Sequence, residues 1–285
     1  MICIIYNPIS GNKGTSYREQ IEKDLQKIPN CLILRSEYVN HATELTQQAI
    51  ASNPKKIIVI GGDGTINEVA RQLIYSEIPL GIIPMGSGNG LARHLGLSLD
   101  FKTALNFALQ HQSFQEIDVA YLNDQAFFCT AGIGFDAMVA NDFSRRKGRG
   151  LLNYIKASFA MNRIYQPIQV KIKEEPTFSP FFSITFANAN QFGNHAFISP
   201  GSNLQDQQFE LVCVKPLNFI EKAKLGISLF LKNIHKHPKV TITSQKTCEL
   251  EVHNCQYYHL DGETFDMEQT SVKIKIVPKS LKIIF

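Results

Sequence analysis

Three glycines surround Asp63 in residues 61–65, which read Gly-Gly-Asp-Gly-Thr. The β-branched run that ends at Ile60 is typical of a buried strand, and a helical pattern begins directly after the turn. Glycines at such a junction let the backbone approach a ligand closely, and a helix N-terminus attracts anions. The pattern therefore favours a phosphate, and the carboxylate of Asp63 indicates a metal ion or a proton transfer as well. An ordinary βα turn is the alternative, since glycine is common in such loops.

Two further loops follow apolar runs in the same way. Residues 79–84 are typical of a strand, and a second glycine-rich loop extends from Met85 to Gly90. Residues 1–6 precede a turn-rich loop in which Ser10, Asn12 and Lys13 are candidates for phosphate contact, although they could equally be plain turn formers. Two glycine-rich loops at one sheet edge are stronger evidence for a phosphate site than either loop alone.

An acidic pair follows another apolar stretch near the end of the chain. Asp261 and Glu263 flank a glycine directly after residues 257–260. A carboxylate on such a sharp turn could accept the proton of an alcohol, which is a poor nucleophile at neutral pH. A solvated hairpin turn is the alternative, because Asp-Gly is a favoured turn dipeptide.

The elements that must position these residues divide into two types. Strands alternate with helices up to about residue 116, with strands over 1–6, 31–34, 57–60 and 79–84 and helices over about 17–28, 42–51 and 66–75. This alternation predicts a doubly wound parallel sheet with its loops at one edge. From residue 117 onward, short apolar stretches separated by turn residues predict a largely antiparallel β domain, interrupted by helices over 150–164 and 218–235. The predicted strands cover 117–122, 126–130, 168–172, 181–187, 209–214, 239–242, 247–252 and 272–277.

Composition limits the class of partner. The formal charge of +4 over 285 residues is too mild to argue for nucleic acid. The six cysteines form no CxxC pair and no signal peptide is recognisable, so we expect reduced thiols in the cytoplasm. The basic cluster 145–149 and the segment 218–239 are candidates for peripheral membrane contact. A helix that packs its apolar face on the β domain is the alternative for the second segment, and a homodimer is compatible with the sequence.

Together these motifs resemble the diacylglycerol kinase catalytic-domain family, the soluble bacterial lipid kinases related to sphingosine and ceramide kinases. The resemblance covers nearly the whole chain. It rests on five motifs in order, namely Asn7-Pro8 with Gly11, residues 61–68, residues 84–89, residues 131–136 and residues 261–263. It implies an α/β domain that binds ATP over residues 1–116 and a β-sandwich domain over 117–285, from which the extreme C-terminus can return to the first domain. It also implies an active site in the cleft between them, where Mg²⁺ and ATP serve phosphoryl transfer to a lipid hydroxyl at the membrane surface.

The resemblance implies roles for individual residues. It implies that Glu263, Asp261 and Asp63 are catalytic; we predict Glu263 as the base, oriented by Asp261, although both assignments of the pair fit the family. Asp118 resembles a residue that supports the site through a polar network. A structural Mg²⁺ site is implied at the side chain of Asp206 and the backbone carbonyls of Asn203 and Gln208. The implied nucleotide-binding residues are Asn7, Ser36, Gly61, Gly62, Asp63, Gly64, Thr65, Ile66, Asn67, Glu68, Gly86 and Ser87.

Two positions depart from the family pattern. Gly90 stands where many bacterial members have aspartate, and Gln207 stands where they have glycine. The acceptor could therefore be diacylglycerol or a sphingoid-like lipid. A soluble kinase similar to NAD kinases, which share the Gly-Gly-Asp-Gly turn, is one alternative, and a catalytically silent nucleotide- or lipid-binding regulator is another. The presence of Asp63, Asp261 and Glu263 together argues against the second alternative.

Overall fold

A computed structural model describes residues 1–11, 14–146, 150–173 and 175–285. The chain divides into two compact units. The first unit comprises Met1–Ile117 with Lys279–Phe285, and the second unit comprises Asp118–Pro278. The last residues of the chain thus belong to the first unit.

Helices and strands alternate in the first unit, and strands dominate the second. The helices are α1 (Thr15–Gln26), α2 (His41–Ala51), α3 (Asp63–Gln72), α4 (Gly90–His94), α5 (Phe101–Gln110), α6 (Phe135–Arg145), α7 (Leu151–Asn162) and α8 (Phe219–Phe230), with a 3-10 turn at Ile234–Lys236. The strands are β1 (Ile2–Tyr6), β2 (Cys31–Arg35), β3 (Lys56–Gly61), β4 (Leu80–Pro84), β5 (Gln115–Leu122), β6 (Gln125–Phe127), β7 (Thr130–Gly134), β8 (Ile168–Ile172), β9 (Ser179–Phe181), β10 (Ser183–Ala187), β11 (Phe209–Val214), β12 (Val240–Gln245), β13 (Thr247–His253), β14 (Tyr257–Leu260), β15 (Glu263–Asp266) and β16 (Ser271–Ile284).

The first unit is a parallel sheet with helices on both faces, which confirms the predicted fold class. Its strand order is β2-β1-β3-β4, and the end of β16 extends it parallel to β4. Helices α1 and α5 pack with one face of β1, β3 and β4 in a single apolar cluster. Every residue of β3 is buried, as expected for a central strand covered on both sides.

The second unit contains two groups of strands around one apolar core. One sheet has the order β12-β11-β10-β7-β14-β15 and is antiparallel throughout. The other group contains β13 between β16 and β8, also antiparallel. Residues from both groups form one buried cluster, for example Ile184 and Phe186 with Val170 and Leu250. The expected antiparallel β-sandwich is therefore confirmed.

Several element boundaries differ from those expected from the sequence. The predicted strand over 126–130 is two strands, β6 and β7, separated by Phe128 and Cys129, whose amides turn toward Asp261. Helices α5 and α6 were not predicted. The helix expected over 218–235 ends at Phe230, because Lys232 adopts a left-handed backbone with φ of 56° and cannot continue it. The last strand continues to Ile284 rather than ending near residue 277.

Candidate functional site

Three loops meet at the carboxyl edge of the parallel sheet in the first unit. They follow β1, β3 and β4, whose neighbouring ends lie side by side. The amide of Met85 donates to the carbonyl of Gly61 at 2.7 Å. A side chain on Gly86 would place its Cβ 2.9 Å from the Cα of Gly62, and one on Gly11, which has a φ of 76°, would place it 2.3 Å from the carbonyl oxygen of Met85. Only glycine fits this approach of one backbone to another.

Side chains from the first loop bind the second. Asn7 Nδ2 donates to Thr65 Oγ1 at 2.8 Å, and the amide of Gly62 donates to Ser10 Oγ at 3.1 Å. Ser10 and Asn7 therefore hold the turn before α3, whose first amides have no partner within the helix and form a ready anion site. Asn12 and Lys13, the other phosphate candidates of this loop, lie outside the described residues.

Asp63 bridges the two glycine-rich loops. Its carboxylate accepts from the amide of Asn89 at 2.9 Å and from that of Gly90 at 2.8 Å, at the start of α4. The Asp63 side chain is half-buried and faces the neighbouring loop. Burial raises the pKa of the Asp63 carboxyl, while the two amides and the charge of Arg93 act in the opposite direction. Asp63 consequently fixes the geometry of the phosphate loops.

The other predicted nucleotide-binding residues divide by exposure. Gly64 and Ser87 are exposed at the surface of these loops, whereas Thr65, Ile66, Asn67 and Ser36 are buried. Glu68 reaches α2 instead, where its two carboxylate oxygens accept from the amides of Asn40 at 3.3 Å and Ala42 at 3.0 Å. It satisfies amides that the start of a helix leaves without partners.

Arg93 is a candidate that the sequence analysis missed. Its Nε donates to the carbonyl of Gly88 at 3.0 Å, so its guanidinium lies against the second glycine-rich loop. A cation there suits phosphate, which arginine binds through several N–H groups at once. Its position one helical turn beyond Asn89 was the signal available in the sequence.

The acidic pair of the second unit has two different environments. Asp261 has a φ of 51°, and its carboxylate accepts from the amides of Phe128 at 2.9 Å, Cys129 at 2.7 Å and Thr130 at 2.9 Å. Glu263 is exposed at the first position of β15. Asp261 therefore holds the β6–β7 turn, and Glu263 presents its carboxylate to solvent.

The residues that the family resemblance implies for a structural Mg²⁺ site, Asn203, Asp206 and Gln208, lie in one loop of the second unit. Buried Asp118 accepts from the amide of Gln207 at 2.6 Å, and its own amide donates to the carbonyl of Leu204 at 2.7 Å. Gln207 has a φ of 63°, so it adopts the left-handed backbone that glycine would favour at this position. The loop that contains Asn203, Asp206 and Gln208 thus has a fixed backbone despite the glutamine.

The motif at residues 131–136 contributes to the interior of the second unit. Asp136 is buried, accepts from Thr185 Oγ1 at 2.8 Å and lies 3.4 Å from Nε2 of buried His259. A Cβ on Gly132 would lie 2.2 Å from the Asp136 carboxylate and 2.6 Å from the His259 ring. The glycine of this motif therefore leaves room for a buried polar network.

The family comparisons agree across the chain. Residues 1–122 match the model of the diacylglycerol kinase catalytic domain, and residues 129–285 match that of the YegS C-terminal NAD kinase beta sandwich-like domain. The chain is 28% identical to a diacylglycerol kinase from Bacillus subtilis (strain 168), over 91% of this chain and 88% of that protein. It is 27% identical to a diacylglycerol kinase from Staphylococcus aureus (strain MRSA252), over 91% and 85%. The crystal structure of a diacylglycerol kinase from Bacillus anthracis str. Sterne has the same fold, with a TM-score of 0.71 at 21% identity and coverage of 100% of this chain and 96% of that one.

Proposed function

Because the chain belongs to the diacylglycerol kinase catalytic-domain family, whose members are lipid kinases, we propose that it transfers the γ-phosphoryl group of ATP to a hydroxyl of diacylglycerol. The convergence of three glycine-dependent loops in the first unit carries the nucleotide part of this proposal. Names of the relatives support diacylglycerol as the acceptor.

The loops would bind the phosphates of ATP through backbone amides. The N-terminus of α3 offers N–H groups and the positive end of the helix dipole. Ser87 and Gly64 are exposed on these loops, and the side chain of Arg93, from α4, lies against the second loop. Positioning and charge stabilisation are most of what phosphoryl transfer requires from a protein.

Glu263 would act as the general base. Its carboxylate takes the proton of the lipid hydroxyl, the hydroxyl oxygen forms a bond to the γ-phosphorus, and the bond from that phosphorus to the bridging oxygen breaks to release ADP. Asp261 is a positioning residue in this scheme, since its carboxylate is engaged by three amides. The exposure of Glu263 leaves it accessible to an acceptor.

Mg²⁺ is the metal expected with ATP. When bound, it neutralises charge on the phosphates. The loop at residues 203–208 fits a second Mg²⁺ in ligand type, because Asp206 offers a half-buried carboxylate beside carbonyl oxygens of Asn203 and Gln208, and magnesium prefers oxygen. One Asp206 oxygen already accepts from the amide of Gln208 at 3.0 Å. Within the described ranges no group of three or more His, Cys, Asp or Glu is arranged for a metal, so water would complete the coordination.

Incubation with labelled ATP, Mg²⁺ and an extracted lipid mixture, followed by mass identification of the product, tests the proposal. We expect labelled phosphatidic acid with the wild type and almost none with Glu263→Gln. Labelled NADP from added NAD, without a lipid product, would favour the NAD kinase-like alternative. Nucleotide binding without any labelled product would favour a regulator that has lost turnover.

Residues on the glycine-rich loops should affect the nucleotide before the lipid. Ser87→Ala should raise the KM for ATP and leave the preference among lipids unchanged, because Ser87 is exposed on the second loop. Thr65→Ala should act similarly, since Thr65 Oγ1 accepts from Asn7. A changed lipid profile with an unchanged KM for ATP would remove both residues from the nucleotide site.

A further inference from the structure

Helix α8 in the second unit has two apolar faces, and among the described residues only one of these faces has packing partners. Leu225 and Leu229 pack with buried Ile234 against the strands. The other apolar side chains of the helix and its end are exposed, namely Phe219 (70%), Ile220 (64%), Ile227 (60%), Phe230 (41%) and Leu231 (63%). The packed face is what a helix on a β domain requires, so the exposed face needs a separate explanation.

The exposed residues form one stripe. At about 100° per residue, positions 219, 220, 227, 230 and 231 fall within an arc of roughly 120°. Leu225, Ser228 and Leu229 lie on the opposite side, and Ser228 is buried. The helix is well formed at its start, because Asn218 and Glu221 make a capping box. We call residues 219, 220, 227, 230 and 231 the outer stripe.

The segment of the chain that contains the outer stripe is rich in lysine. Between Lys215 and Lys246 the chain contains seven lysines and a single acid, Glu221. The Glu221 carboxylate accepts from the amide of Asn218 at 2.8 Å in the capping box. The stripe therefore belongs to a strongly cationic segment, in which Lys224 and Lys236 are at the surface.

The end of α7 lies beside α8 and has the same character. Lys222 Nζ donates to Asn162 Oδ1 at 2.5 Å, which joins the two helices. Phe159 and Ile164, on either side of Asn162 in the sequence, are each 65% exposed. Lys156 and Arg163 are exposed in the same region, whereas Lys171 and Lys173 farther along the chain pair with Glu251 and Glu249. The apolar and basic surface thus extends from one helix to the next.

We propose that the outer stripe of α8, with the end of α7, is a docking surface for an anionic membrane. Interfacial helices combine an apolar face that enters the headgroup region with lysines that attract anionic lipid. A second copy of this chain fits less well, since a symmetric contact would bring the same lysines of both copies together. The inference that docking brings the enzyme to its lipid acceptor rests on the proposed function, whereas membrane binding itself does not require turnover.

Co-sedimentation with vesicles, without nucleotide, tests the docking surface. Vesicles of phosphatidylcholine alone are compared with vesicles that also contain phosphatidylglycerol. The double variant Ile220→Ser with Ile227→Ser should lose roughly tenfold or more of the binding, because both side chains are exposed and would enter the bilayer. Val39→Ser with Leu99→Ser, which removes exposed apolar side chains from the first unit, is the matched control and should bind as the wild type does.

A second pair of variants tests the charge. Lys224→Glu with Lys236→Glu should abolish the preference for anionic vesicles, since removal of each lysine costs roughly fivefold in binding and the reversed charge adds repulsion. Lys55→Glu with Lys102→Glu makes the same charge change on exposed lysines of the first unit and should retain the preference. Equal losses in the test and control variants would overturn the proposal, because they would indicate an effect of net charge alone.

Two further measurements separate the other outcomes. If light scattering shows a wild-type dimer that the Ile220→Ser, Ile227→Ser variant dissociates, while vesicle binding is absent from both, the stripe is a subunit interface and the proposal fails. Turnover of a short-chain, water-soluble diacylglycerol should be the same in this variant and the wild type. Vesicle binding without any turnover would count against the proposed function alone, whereas turnover without vesicle binding would count against the docking surface alone.

Discussion

Replacement of Asp261 and of Glu263 should separate structural from chemical function in the acidic pair. Asp261→Ala removes the carboxylate that accepts three backbone hydrogen bonds. The donors are the amides of Phe128, Cys129 and Thr130, and all three residues are buried. At about 1 kcal/mol net for each lost hydrogen bond, the free energy of unfolding should fall by about 3 kcal/mol. For a chain of this size that corresponds to a decrease in Tm of roughly 6–12 °C. Asp261→Asn keeps one oxygen acceptor but turns an NH₂ group toward a donor. Its Tm should therefore lie between that of the wild type and that of Asp261→Ala.

Glu263→Gln should behave in the opposite way. Its side chain is exposed, so Tm should change by no more than about 1 °C, whereas loss of the base should lower kcat by roughly 10²–10⁴-fold with little effect on the KM for ATP. Glu268→Gln makes the same chemical change at another exposed position and should leave both quantities unaltered. Circular dichroism during heating measures Tm, and an assay of labelled phosphate transfer measures kcat. An unchanged Tm in Asp261→Ala, or near-normal kcat in Glu263→Gln, would refute the division of roles.

Three other perturbations address the loops. Gly86→Ala should lower kcat/KM for ATP on the order of 10²-fold, because its Cβ would force the glycine-rich loops apart, whereas Gly201→Ala, whose Cβ would meet open space, should be neutral in the same assay. Because its pKa is raised, Asp63 itself is more protonated in the folded chain than in the unfolded one just above the ordinary carboxyl pKa. In urea titrations the unfolding free energy of the wild type, relative to that of Asp63→Asn, should therefore fall as pH rises from the ordinary to the raised pKa. Asp206→Ala should raise the Mg²⁺ concentration needed for half-maximal activity, and an unchanged Mg²⁺ titration would remove Asp206 from a metal site.

The fold class followed from local patterns that one sequence contains. Alternation of β-branched runs with helical periodicity predicted the parallel sheet, and short apolar stretches predicted the sandwich. Helix α6 was not predicted, because it begins directly after the apolar strand β7 with no loop between them. The path of β16 into the first unit had no specific local signal either, since pairing with β4 joins residues about two hundred positions apart.

The sequence by itself determined which residue types could do chemistry, and the tertiary structure decided what each one contacts. Glycine spacing identified the two phosphate-type loops, yet only the fold shows that Asp63 bridges them and that Glu68 reaches α2. The two acids around Gly262 looked equivalent in sequence. In the structure, the Asp261 carboxylate accepts hydrogen bonds from amides more than 130 positions earlier in the chain, whereas Glu263 is exposed. Hydrogen-bond partners so distant in sequence are set by strand pairing, which local propensity does not encode.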